Sequence, residues 1–402
     1  MKGASKKTLD DVCEFIIDCL HATAPVQDEG YPLIRTPNIG RGRLQLDGVY
    51  RVSEDTYTKW TRRATPMAND LILAREAPAG NVAIVKNGQT VCLGQRTVHL
   101  RPDPQMVDPD FLCYFLLAPP QQGLLLAGET GATAKHVNMK DIRQLSLRHM
   151  PRLEEQRRSG RILAAYDDLI ENNRRRIQLL EQAARLLYKE WFVHLRFPGH
   201  EHTKITDGVP EGWEKITIGE SASFLSRGIT PKYDDNAPGL VINQKCIRNR
   251  MVSLDLARRH SNQVPSTKIV QFGDMLINST GAGTLGRVAQ FLYEADGYTV
   301  DSHITIVRPR EDIPVHYFGL CLASLESYIA TLGRGATNQT ELSKDDIAAL
   351  EIIRPSSGHA QMFEKKVALF FRQIYILLGQ VKKLSQARDL LLPRLMNGDY
   401  AV

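Results

Sequence analysis

Three glycines make the most suggestive chemical pattern in this chain: Gly281-Ala282-Gly283-Thr284-Leu285-Gly286 spells G-x-G-x-x-G. In a dinucleotide-binding turn such glycines follow a strand and open a helix whose N-terminal amides hold a pyrophosphate. Here Arg287-Val288-Ala289-Gln290-Phe291 follows, with the composition of another strand. A turn between two strands is therefore expected, and an oxidoreductase reading rests on these glycines alone. Other reactive patterns are weaker. No G-x-x-x-x-G-K-S/T loop is present. Ala118-Pro119-Pro120-Gln121 lacks the acid or amide and the aromatic that an adenine methyltransferase uses to hold a flipped base. Glu364-Lys365-Lys366 could be half of a nuclease motif, but it lies in a helical pattern with no strand beside it, so a solvated face is expected. The 11 His show no metal spacing, and the six Cys (13, 19, 92, 113, 246, 321) form no Cys-x-x-Cys pair. No active site emerges. The chain is expected to be no enzyme and to hold no metal or cofactor itself.

What remains are polar residues beside glycine-rich turns. Phosphate contacts favour Arg, Lys, Asn, Ser and Thr with close backbone approach at Gly, and base edges are read by Arg, Asn, Gln and Lys. In the first part of the chain the candidates are Arg41, Arg43, Arg62, Arg63, Lys135 and His136. In the second part they are Arg227, Lys232, Asn243, Gln244, Lys245, Asn338 and Gln339. Lys135-His136 and Asn338-Gln339 both come just after a Gly-Ala-Thr: Gly131-Ala132-Thr133 and Gly335-Ala336-Thr337.

Two long helices must position these loops. Over 154–191, Leu163, Tyr166, Ile170, Asn173, Ile177, Leu180, Ala184, Leu187 and Trp191 recur at alternating steps of three and four. That spacing packs one narrow stripe against a partner helix, about 55–60 Å long at ~1.5 Å per residue. The partner pattern lies at 359–392: Val367, Phe370, Ile374, Leu377, Val381, Leu384 and Leu391. Subtracting 204 superimposes much of the second row on the first. The preceding segments repeat as well, in order, at offsets of 204–207. Asp70-Leu71-Ile72-Leu73 matches Asp274-Met275-Leu276-Ile277, and Leu100-Arg101-Pro102 matches Val307-Arg308-Pro309. The chain is an internal duplication of a mixed unit followed by a long helix. Asn173, polar in an apolar seam, fits a register-setting role. Arg174-Arg175-Arg176 fits an exposed helical face.

Composition agrees with that architecture. A length of 402 residues allows two to four compact units, and 43% hydrophobic with 24% charged residues is ordinary for a soluble globular protein. No apolar run approaches ~18 residues, so no membrane span is expected. Scattered Cys suit a reducing cytoplasm. The net charge of +6 suits a nucleic-acid partner, but mildly. The excess lies on the helical stretches, with 10 basic against 7 acidic residues in 151–200 and 7 against 3 in 356–402. Residues 1–150 read as α+β: a first helix over 9–20, strands at 31–35, 71–75, 82–85 and 97–100, and a helix opened by Asp108-Pro109 and stopped at Ala118-Pro119-Pro120. Loop 128–137 and a helical turn at 140–143 follow. Residues 195–213 read as a polar linker. The second unit repeats the order, with strands near 240–242, 274–277, 288–292 and 303–307 and a helix over 317–332. Pro393 is expected to end or kink the second long helix.

Two divergent globular units, each followed by a long helix, resemble the specificity subunit of a type I restriction–modification system. Val209-Pro210-Glu211-Gly212-Trp213 resembles the opening of a target-recognition domain of that family, and Gly228-Ile229-Thr230-Pro231 its Gly-x-Thr-Pro segment. Gly273-Asp274-Met275-Leu276 and Gly335-Ala336-Thr337-Asn338-Gln339 resemble later motifs, and Leu186-Leu187-Tyr188-Lys189-Glu190-Trp191-Phe192 the end of its central helix. The first unit lacks both the Pro-x-Gly-Trp and the Gly-x-Thr-Pro segments. The resemblance implies an α+β fold with target-recognition domains at 1–152 and, with the linker, 197–355. Spacer helices at 153–196 and 356–402 would pair as an antiparallel coiled coil. It implies that each unit reads one half of a bipartite double-stranded DNA sequence, with the half-site separation set by helix length. Two methyltransferase subunits would dock, and up to two motor–nuclease subunits would join; S-adenosylmethionine, ATP and Mg2+ are expected on those partners. The alternative is a non-enzymatic coiled-coil scaffold for protein partners.

Overall fold

The computed structural model describes residues 7–127, 136–148, 150–294, 297–335 and 340–397. The chain forms two units, 1–174 with 379–402, and 175–378. Both hold a mixed globular part and a stretch of each long helix.

In the first unit the main sheet runs Cys13–Asp18, Thr97–Pro102, Leu71–Ala74, Val82–Ile84, Gly42–Arg43 in spatial order. A smaller sheet runs Arg51–Val52, Tyr31–Ile34, Cys92–Leu93, the first pair antiparallel and the second parallel. The second unit repeats both, its main sheet without a fifth strand. Its main sheet is Ala222–Arg227, Ile304–Pro309, Met275–Asn278, Val288–Gln290, and its smaller one is Arg258–His260, Gly239–Ile242, Tyr298–Val300, again antiparallel then parallel. Even the irregularity of the edge strand is shared, a register shift between Cys13 and Phe15 in one and between Ala222 and Phe224 in the other. The duplication read from sequence is thus a duplication of topology.

Leu71–Ala74 is apolar along its whole length, and its counterpart is apolar up to Ile277, because both faces are covered. Leu71 and Leu73 face the helix Pro109–Leu117, while Ile72 and Ala74 join the core beneath the smaller sheet. The helix starts where Asp108 accepts the amide of Phe111 at 2.9 Å with Pro109 in the first turn. It ends at Leu117, but Pro119–Leu126 is a second helix, since proline is well suited to a first turn. The expected 317–332 helix is likewise two, Val315–Ser324 and Glu326–Thr331.

Three expectations are revised more plainly, the last in part. Residues 9–20 form a short turn, Asp10–Val12, and then the strand Cys13–Asp18. Asp11 accepts the amide and hydroxyl of Thr8, and pairing with Thr97–Pro102 outweighs a short amphipathic pattern. The polar linker is anchored: Phe197 is buried against Trp213 and His359, with ring centroids 4.6 and 4.7 Å away. Pro393 does not end its helix, which spans Ser357–Met396. Leu392, Leu395 and Met396 are buried in the first unit's core, and their burial holds the last turn against the lost hydrogen bond.

The first long helix spans Leu153–Tyr188 and closes in a π-turn, Lys189–Val193, which sends Trp191 and Phe192 into an aromatic core with Phe197, Trp213 and Phe363. The helices pair antiparallel within each unit. In the first, Leu163 shares a core with Leu392, Asp167 meets Arg388 and Asn173 meets Gln380. In the second, Ile177 packs with Ile374 and Leu377, and Phe192 with Phe363. Of the seam residues, Leu163, Ile170, Asn173, Ile177, Ala184, Val367, Ile374 and Leu377 are buried. Tyr166, Leu180, Leu187, Phe370, Val381, Leu384 and Leu391 are half-buried. The Asn173 amide donates to Gln380 Oε1 at 3.1 Å, a bond that forms in one alignment of the helices. Asn173→Leu is therefore expected to raise the melting temperature while relaxing register. A cysteine pair placed at Ile177 and Leu377 should cross-link in lower yield in that background.

Candidate nucleic-acid interface

A buried ion pair at the start of the central strand occurs in both units. Asp70 accepts Arg101 Nε at 2.9 Å and Nη2 at 2.8 Å. Asp274 accepts Arg308 Nε and Nη2, both at 2.8 Å. Each guanidinium lies over an aromatic ring of the edge strand, Phe15 or Phe224, and each gives another hydrogen bond to a backbone carbonyl, of Thr65 or Ile269. Each carboxylate also accepts an amide three residues back, of Met67 or Gln271. One difference separates the copies: His99 Nε2 donates to Asp70 at 2.6 Å, and its counterpart is Ile306. Burial pushes the Asp70 carboxyl up, but Arg101 and His99 more than offset it and leave it below the usual range. Burial prevails at Asp274, whose carboxyl is held above that range despite Arg308.

Beyond these pairs the strands end in polar turns. In the first unit, Arg75 donates to Val137 O at 3.0 Å and to Asp18 Oδ2 at 2.7 Å, while Glu76 bridges to His136 through the backbone and pairs with Arg96 at 3.0 Å. In the second, the Leu342 amide donates to Ser279 O at 2.8 Å, Thr280 bridges to Glu341, and Arg227 donates to Leu342 O at 2.8 Å and pairs with Glu341. His136 and Glu341–Leu342 therefore lie against equivalent strand ends, beside ion pairs that are wired differently. The G-x-G-x-x-G glycines have φ of 103°, 71° and 79° and connect two antiparallel strands, as a tight turn requires.

The structure sorts the candidate contacts. Lys135, Asn338 and Gln339 lie outside the described residues. His136 is half-buried where the loop returns, with interactions of its own. Arg62, Lys232 and Lys245 are exposed. Arg41 is exposed and donates to Leu117 O at 3.0 Å; Arg63 reaches Asp18 O at 3.4 Å. Four residues belong to the scaffold instead. Arg43 meets Asp168 at 2.8 Å, Ala164 O at 3.0 Å and Tyr114 Oη at 3.3 Å, with its side chain 13% exposed. Arg227 holds the returning loop. Asn243 accepts the Lys245 amide at 2.9 Å and donates to Leu256 O at 3.0 Å. Gln244 donates to Thr280 O and Oγ1 at 2.8 and 2.6 Å. Arg174, Arg175 and Arg176 are exposed, as a helical face requires.

Sequence reading missed two neighbours of this surface. Exposed His303 lies 2.7 Å from Thr280 Oγ1, extending the Gln244–Thr280 contact. Arg258 stacks over Tyr233 with its guanidinium carbon 3.6 Å from the ring centre, both residues exposed beside Lys232. Adjacent Lys232-Tyr233 was a usable signal; the fold had to bring in Arg258. Glu364 is not on a solvated face. It accepts the amides of His316 and Tyr317 at 3.1 and 3.2 Å and meets His316 Nδ1 at 2.7 Å. It caps a helix whose N-cap, Pro314, has no side chain able to do so. The matching residue in the first unit is Gly160, where a Cβ would lie 2.7 Å from Asp108 Oδ1, the cap already present.

Two copies of one scaffold, each presenting a different polar surface beside paired helices, define a duplicated binding protein. A family described as type I restriction modification DNA specificity domain matches residues 1–182. The MjaIX specificity subunit of Methanocaldococcus jannaschii is 25% identical over 368 residues, 88% of this chain and 83% of that protein. The HindI specificity subunit of Haemophilus influenzae is 23% identical over 75% of this chain and 79% of its own. The crystal structure of a type I restriction–modification S subunit from M. genitalium shares the fold, with a TM-score of 0.60 at 17% identity over 97% of this chain and 95% of that one. Residues 1–182 thus match that family, and over most of its length the chain is similar to type I restriction–modification specificity subunits.

Proposed function

We propose that this chain is a non-catalytic specificity subunit whose two units each read one half of a bipartite double-stranded DNA target. The observation that carries the reading is the duplicated scaffold, marked by its repeated Asp–Arg pair, Asp70–Arg101 and Asp274–Arg308, which carries polar turns of different sequence. A constant support under variable loops suits two readers of related design and different target. Arg41, Arg62 and Arg63 in the first unit, and Lys232 and Lys245 in the second, all exposed, would contact phosphate, and Lys135, Asn338 and Gln339 are proposed as further contacts. Two methyltransferase subunits would dock, using S-adenosylmethionine to methylate adenine in each half-site. Up to two motor–nuclease subunits would add cleavage driven by ATP and Mg2+.

The test is single-molecule methylation mapping of DNA from cells expressing this chain with its methyltransferase. A bipartite motif, methylated in both halves and lost on deleting the chain, is expected, and replacing residues 201–355 should change one half only. Methylation with no motif, with the methyltransferase active, would overturn the reading in favour of a protein scaffold.

A further inference from the structure

The two copies differ most in what fills the space between the sheet-covering helix and the long helices. In the first unit Tyr114 occupies it: the ring is buried, and the hydroxyl donates to Asp167 Oδ2 at 2.6 Å beside Arg43. Burial, then the Asp167 charge, pushes the phenol well above its usual range, so it remains a donor. In the second unit the equivalent helix, Val315–Ser324, carries smaller residues at three positions: Gly319 for Cys113, Leu320 for Tyr114 and Ala323 for Leu117. All three line a half-open cavity of about 90 Å³, with Phe371 and Ile374 on its wall. Its rim is polar. Glu181 and Arg185 from the first long helix and Arg250 stand there, Arg250 held by Glu326 at 2.7 Å and Arg185 by Glu181 at 3.8 Å. The position matching Asp167 is Phe371, so the carboxylate facing this space now comes from Glu181.

We propose that this cavity binds a small phenol-class molecule, its ring between Leu320, Phe371 and Ile374 and its hydroxyl donated to Glu181. The first copy supplies the argument, since it closes the same space with a tyrosyl ring whose hydroxyl ends on a carboxylate. A largely apolar wall with a carboxylate among its lining residues favours a ring carrying a donor. An aliphatic chain would leave Glu181 without that bond, and a charged ligand would lose water to the apolar wall.

Calorimetric titration of the full chain with p-cresol, and with toluene as the ring lacking a donor, tests the site. One equivalent of p-cresol should bind, about 10-fold tighter than toluene, as a hydrogen bond to a carboxylate implies. Glu181→Ala should remove that preference while leaving toluene binding in place. Leu320→Tyr installs the residue of the other copy; it should abolish binding and raise the melting temperature by about 2–4 °C. Ala323→Leu fills the cavity from a second position and should also abolish binding if the tyrosine variant does not fold. No p-cresol binding at millimolar concentration would overturn the proposal, even with Leu320→Tyr stabilising, because the space would then be an unfilled void. Binding that survives both filling variants would place the ligand elsewhere and overturn it equally.

Discussion

Asp274→Ala is expected to destabilise residues 175–378 by about 3–5 kcal/mol, the cost of leaving one partner of a buried ion pair alone. The Asp274 side chain is fully buried and that of Arg308 is 15% exposed, so water cannot replace the missing carboxylate. Three bonds end on it, two from Arg308 and one from the Gln271 amide. Because the chain holds two units, global melting would mix their transitions; hydrogen exchange resolved by segment isolates the loss to strands Met275–Asn278 and Ile304–Pro309. Replacing both partners, Asp274→Leu with Arg308→Met, should recover most of the stability, since desolvating the pair already consumes much of its attraction. A double variant as unstable as Asp274→Ala would show that the pair is worth far more than its packing.

The two copies should respond to acid in opposite senses. Asp70 is held below its unfolded value of about 3.9, so its contribution is complete above that pH and is lost as pH falls through the lower folded value. Asp274 is held above its unfolded value, so its charged form is penalised, and protonation relieves that penalty as pH falls between the folded and unfolded values. The cost of Asp70→Asn should therefore shrink on acidification below about pH 4. The cost of Asp274→Asn should instead grow over the window above it. Urea unfolding of both variants between pH 7 and 3.5, followed by segment-resolved exchange, reads the contrast.

Much of the fold was legible because its signals are long or repeated. The seam is read from some nine positions, and the repeat itself aligns Asp70 and Arg101 with Asp274 and Arg308. Why those residues align was not legible, for their partnership crosses neighbouring strands and sequence order does not encode it. Short stretches failed for a related reason. Residues 9–20 fit a helix by pattern, and pairing with Thr97–Pro102 decides otherwise. Pro393 ends helices on local grounds, yet Leu395 and Met396 have a core to fill. At the candidate interface the difficulty is chemical. Arg, Asn and Gln suit a DNA phosphate or base and a backbone carbonyl equally well, so type and position cannot separate a reader from a brace. Arg43 and Lys245 looked alike in sequence; one is enclosed by Asp167, Asp168 and Tyr114, and the other faces solvent.

That distinction has a measurable consequence. Arg43→Met should cost about 3 kcal/mol in the first unit, near the lower end for a buried pair broken on one side. The loss is limited because Asp167 keeps the Tyr114 hydroxyl and the Arg388 guanidinium. DNA affinity measured below the melting transition should then keep its dependence on salt, because no phosphate contact has been removed. Lys232→Ala and Lys245→Ala should behave in the reverse way. Both side chains are exposed, so stability should change by less than about 0.5 kcal/mol. Each lysine that neutralises a phosphate should lower the slope of log K against log salt by about 0.9. Fluorescence anisotropy on a duplex carrying the mapped motif, over about 50–200 mM salt, separates the two classes. An Arg43→Met chain that keeps its stability but loses salt dependence would return Arg43 to the contact surface. Lysine variants with unchanged slope would remove Lys232 and Lys245 from it.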